Sequence, residues 1–143
     1  MPLQVELLRD WVGLRLRCSG DLTAQEFIAR KNRLLFSSRN WRRLKFVVVD
    51  GSSVDSAVIS ADEVQILADL DTHNGLLLPT ELRIALVFPN NAAFGLARMW
   101  EVWAEPIGWQ TRVFRSLSDA SQWLDLDSDE REWLLRGDGL LLQ

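Results

Sequence analysis

Apolar and polar positions alternate along "WVGLRLRCSG", where Val12, Leu14, Leu16 and Cys18 stand against Gly13, Arg15, Arg17 and Ser19. A period of two predicts a strand over 11–19 with one face toward the core and one toward water. Residues 3–9 read as its hairpin partner, turning at Asp10. Thr23 followed by Glu26 is a capping box, which opens a helix with Phe27, Ile28, Leu34 and Leu35 to bury and an end near 37–40. "LKFVVVD" (44–50) is a nearly unbroken β-branched run, the pattern of a central strand covered on both faces. "GSSVDSAVI" reads as its exit loop, and "SADE" opens a helix over 60–71 in which Val64, Leu67 and Ala68 share one face. Asn74-Gly75 and Pro79 break that helix. A buried-type strand comes next in "LRIALVF", closed by Pro89, then a helix at 92–104 and a strand in "WQTRVFR". The last short helix lies in "SLSDASQWL", with Ser118 its expected N-cap and Ser116 the alternative.

The order β-β-α-β-α-β-α-β-α predicts an α/β fold. Strands that alternate with helices imply crossovers and a four- to five-stranded mixed, mostly parallel sheet with helices packed on it and a hairpin at one edge. One domain is expected over 1–124. Residues 125–143 form an acidic tail in which Ser128 is placed to cap a short amphipathic helix through Arg136, ended by Gly137.

Composition adds limits. A chain of 143 residues with 48% hydrophobic and 25% charged residues can bury a core without staples. A net charge of −4 argues against nucleic acid as a partner. One cysteine, no basic-then-apolar start and no apolar span of membrane length fit a cytoplasmic protein. Arg30, Lys31, Arg33, Arg39, Arg42, Arg43 and Lys45 crowd one region. They read as a solvated face, or as a contact for an anionic membrane surface or an acidic partner.

Four strings carry a family resemblance: "GDLTAQEF" opening the first helix, "VVVDGSSV" at the central strand, "FGLARMWE" in the third helix and "VFRSLSDASQWL" at the end. Together they make the chain, over roughly 3–124, resemble the STAS domain and more closely its SpoIIAA-like branch. The resemblance implies interaction or ligand-sensing rather than enzymatic activity. It also implies a test for a phosphoserine switch. In anti-sigma-factor antagonists an Asp-Ser-Ser-Gly string, phosphorylated on its second serine, opens the second helix. Laid without gaps from Asp50, that string falls on Val58, Ile59, Ser60 and Ala61, so Ser60 alone matches. A helix start suits a phosphate, because free amides and the helix dipole favour negative charge. It is equally the ordinary place for a capping serine, and Asp62 and Glu63 would repel a phosphate.

Other chemistry finds little footing. The single histidine, His73, lies in the Gly/Pro-containing break, no Gly-x-Ser-x-Gly elbow exists, and Cys18 reads as a core residue. "DLDTHNG" has a calcium-loop start, but Asn74 stands where glycine is required and Thr80 where the closing glutamate is. No zinc cluster, Walker A or Gly-x-Gly-x-x-Gly string occurs. No metal or other cofactor is expected, and no enzyme. Asp50, Ser52 and Ser53 form a small polar turn beyond a central strand, where ligands of α/β sheets bind; Asx- and Ser-turns give the same pattern without a ligand.

Residues 92–104 hold the remaining candidate. Leu96, Met99, Trp100 and Trp103 fall on one side at i, i+3, i+4 and i+7, while Phe94, Ala97 and Val102 lie away from it. A helix on one sheet face needs about a 100° apolar stripe, and this one has more. The excess fits a protein partner or homodimer, a lipid-like ligand, or peripheral membrane contact. Bulky core packing, or cover by Trp133–Leu135, are the alternatives. The expected function is therefore a non-catalytic binding or regulatory module. Phe94, Met99, Trp100 and Trp103 supply apolar contacts, and Arg98, which matches an arginine of the family pattern, holds an anionic head. An antagonist-like partner switch at Ser60 is the alternative.

Overall fold

The structure, a computed structural model, describes residues 3–8, 12–29, 40–74, 81–136 and 140–142. The expected turn at Asp10, the end of the first helix with Arg30, Lys31, Arg33 and Arg39, the break at Gly75 and Pro79, and the stop at Gly137 lie outside these. Strand β1 (Leu3–Leu7) pairs antiparallel with β2 (Gly13–Thr23) in the register Leu3↔Cys18 to Leu7↔Leu14. Strand β2 then runs parallel to β3 (Phe46–Val58), β3 to β4 (Arg83–Val87) and β4 to β5 (Gln110–Phe114). This is the mixed, mostly parallel sheet the pattern predicts. The tail adds one strand, β6 (Leu140–Leu142), antiparallel to β1, giving the order β5-β4-β3-β2-β1-β6.

Alternation along the strands divides the core in two. Leu14, Leu16, Val47, Val49, Ile84 and Leu86 face one side of the sheet. There they meet α1 (24–29 as described), α2 (Ala61–Asn74) and α3 (Asn91–Ala104) through Phe27, Leu67, Ala68, Ala97 and Trp100. Phe46, Val48, Ala85 and Val87 face the other side, against Ala120 and Leu124 of the α4 region (α4, Leu117–Trp123) and Trp133 and Leu134 of α5 (Ser128–Arg136). All three crossover helices lie on the first face. Among the described residues, the helices that cover the second face both come after β5 in the chain.

Three local expectations are corrected. The run 51–58 is strand and not an exit loop: β3 continues beside β2 to Thr23↔Val58, with register shifts between Arg17 and Ser19 and between Gly20 and Asp21. At the first shift the Asp50 side chain accepts from the Ser52 N–H at 3.0 Å. Gly51 is needed there because the Phe88 ring fills the space of a side chain: a Cβ would stand 2.2 Å from it. Second, Arg15 is not on a wet face. It is 1% exposed, beneath α5. Third, two caps move by one or two residues. Ser116, not Ser118, accepts from the Asp119 N–H at 3.2 Å. Asp127, not Ser128, forms a reciprocal box with Glu130 at 3.0 and 2.8 Å.

At the first helix Glu26 Oε2 is buried without a partner among the described residues, so only the Thr23 half of the box, the Glu26 N–H on Thr23 Oγ1 at 3.4 Å, is as read. So is Cys18, which is fully buried.

Candidate functional site

Asn90 sets where α3 begins. Its side chain accepts from the Ala92 and Ala93 N–H groups at 2.9 and 3.2 Å, satisfying two of the amides a helix start leaves unpaired. From there Ala93, Ala97, Trp100 and Ala104 form the buried strip. This corrects the expected centre of the helix. Ala97 lies on the core side, because small side chains let the helix backbone approach its neighbours closely while larger ones are pushed to the flanks. Phe94, Leu96, Met99 and Trp103 are accordingly only half-buried, packed against the core from its margin. Val102 stands 61% exposed. The apolar surface continues past the helix into Ile107 and Trp109, both half-buried. The indole N–H of Trp109 is buried without an acceptor among the described residues. Trp133 and Leu134 of the tail do not cover this surface, since they pack into the cluster on the other side of the sheet.

Charge borders the apolar surface at two places. Arg98 is exposed and pairs with Glu101 one turn on at 3.6 Å. Burial pushes the Glu101 carboxyl above the ordinary glutamate range, and the Arg98 and Arg112 guanidinium groups draw it partly back. At the start of the helix, Arg115 lies over the Phe94 ring, 4.3 Å from its centroid. It also donates to Asn91 Oδ1 at 2.7 Å and to the Pro89 carbonyl at 3.1 Å. Reading the sequence did not single out Arg115. The only hint was its place, directly after a strand whose end lies beside the start of a helix.

The remaining candidates do not join α3. Asp50 is buried within β3 and, coming after Val49, points to the second face, whereas α3 lies on the first. Ser52 and Ser53 are exposed strand residues next to it. Ser60 caps α2, and its geometry is the reciprocal box expected: the Ser60 N–H donates to Glu63 Oε1 at 3.0 Å and the Glu63 N–H to Ser60 Oγ at 3.2 Å. No described helix is long and apolar enough to cross a membrane.

No protein-family profile and no curated protein matches the chain. A solved structure does: an uncharacterised protein of the DUF3478 family with a SpoIIAA-like fold, from Shewanella loihica PV-4. It is 18% identical, with a TM-score of 0.51, over 85% of this chain and 91% of that one. Likeness at this identity speaks for the fold, and function has to be argued from the site.

Proposed function

From the premise that the chain has a SpoIIAA-like fold, we propose that it is a non-catalytic binding module and that α3 holds a small apolar or amphipathic ligand. One observation carries the reading. The buried strip of the helix is Ala93, Ala97, Trp100 and Ala104, yet its flanks are Phe94, Leu96, Met99 and Trp103, half-buried, with Val102 beyond them. Large apolar side chains left half in water on one helix are what a binding surface needs and a solvated face does not. Arg98 and Arg115, at the border, suit an anionic head group.

The test is a titration of the full chain with a soluble medium-chain fatty acid, monitored by tryptophan emission, with Val102→Asp and Trp103→Ala as controls. Saturable change in the wild type, weakened in both variants, is expected. No change would overturn the reading. Change only with anionic vesicles would make the surface a membrane contact, and concentration-dependent self-association abolished by Val102→Asp would make it a homodimer face. The switch at Ser60 is favoured by no comparable observation, because its hydroxyl and Glu63 already satisfy each other's amides.

A further inference from the structure

Beneath α5 the sheet is not wholly apolar. Arg15 of β2 and Glu6 of β1 are 1% and 5% exposed. The Arg15 Nε and Nη2 donate to Glu6 Oε2 at 3.0 and 2.6 Å, and Arg17 reaches Glu6 Oε1 at 3.4 Å. The helix adds two things to this pair. The Leu134 carbonyl, one of those a helix end leaves unpaired, accepts from Arg15 Nη1. The Trp133 ring lies 5.1 Å from the guanidinium and meets Phe46 edge-on at 6.1 Å.

We infer that α5 and β6 form a clasp that releases as one unit, α5 from the second sheet face and β6 from the edge of β1, while the rest of the fold stays intact. The chemistry of the seam is the main reason. Both charged partners belong to the body of the protein, so when the tail leaves, Glu6 and Arg15 stay paired and regain water. Release therefore strands no charge, and it returns part of the desolvation cost that burying an ion pair incurs. The Trp133 indole N–H, buried in the closed state without a hydrogen-bond partner among the described residues, would find one in water. Topology agrees. The clasp comes after the last crossover, follows α4 through Leu124–Asp127 and packs beside it, and supplies a three-residue edge strand, so nothing else must unthread. Asp125 sits at φ 54, the one non-glycine residue with positive φ among those described, which places backbone strain at the joint. Holding the clasp shut are Trp133 and Leu134, 4% and 0% exposed.

Native-state hydrogen exchange of the full chain at several sub-denaturing urea concentrations tests this. The α5 amides from Arg131 to Arg136 should exchange through one shared opening, about a hundredfold faster than amides of β3 and β4 and with weaker urea dependence. Exchange of α5 at the rate of the central strands would overturn the inference, because the tail would then open only when everything does. Rates graded residue by residue from the helix end would overturn it as well, since that is fraying. The double variant Glu6→Leu/Arg15→Met replaces the ionic seam with an apolar one. It should slow α5 exchange about tenfold or more relative to the central strands; unchanged or faster α5 exchange would remove the argument from the seam.

Discussion

Gly51→Ala separates two accounts of residues 51–58 by the sign of its effect. In a loop, replacing glycine with alanine at a compatible position stabilises a protein by about 0.4–1 kcal/mol, because the unfolded chain loses freedom. In the structure Gly51 is buried in β3, and an added Cβ would lie 2.2 Å from two atoms of the Phe88 ring and 2.9 Å from the Val87 carbonyl oxygen. Ordinary contact begins near 3.4 Å, so the ring would have to retreat by the difference. Phe88 is 7% exposed and packed in the larger core, so its ring has little room to move, and the Val87 carbonyl belongs to the backbone of β4. Overpacking of this kind costs about 1–3 kcal/mol. With a urea dependence of about 1–3 kcal/mol per molar, the midpoint should fall by roughly 1 M. Gly95→Ala is the internal control. Nothing lies within 4 Å of its Cβ position on exposed helix, so stability should rise by about 0.5–1 kcal/mol. Urea unfolding monitored by tryptophan emission reads both. A Gly51→Ala protein as stable as the wild type would refute the continuation of β3 past Asp50.

The geometry sets two further outcomes. Ser60→Ala should lower stability by about 1 kcal/mol through loss of the cap, while Ser60→Asp, which can still accept from the helix amides, should stay close to the wild type in the same unfolding assay; mass spectrometry of protein from its native cell should find Ser60 unmodified. Burial raises the Glu101 pKa, so the folded chain holds that proton more tightly than the unfolded one. Its contribution to stability is then greatest below the ordinary glutamate range and is lost as pH rises from that range through the raised value. The stability of the wild type relative to Glu101→Gln should therefore fall as pH rises from the ordinary glutamate range, and a difference independent of pH would contradict the burial.

Much of the fold can be read in the chain because its signals are local. The cap at Thr23, the capping box at Ser60, the β-branched run to Asp50 and the alternation at 12–18 each depend on neighbours a few residues away. The misread parts depend on distant partners. "GSSVDSA" has the composition of a loop, and it is strand only because "SGDLT" of β2 lies beside it. Arg15 looks solvent-facing by period, and what buries it comes from Trp133 and Leu134, more than a hundred residues on. In α3 the apolar excess was visible, but its centre was not, since periodicity weights the large side chains and close packing selected the alanines. Arg115 was invisible for the same reason: its place over Phe94 needs β5 and α3 side by side.

The most direct test of binding through α3 is ¹⁹F NMR of the chain labelled with fluorotryptophan, its seven signals assigned by single Trp→Phe variants, during titration with a soluble fatty acid. The account predicts saturable shifts of Trp103, with smaller ones at Trp100 and Trp109, while Trp123 and Trp133 on the other sheet face stay put. Seven unmoved signals, or shifts centred on Trp123 or Trp133, would contradict it.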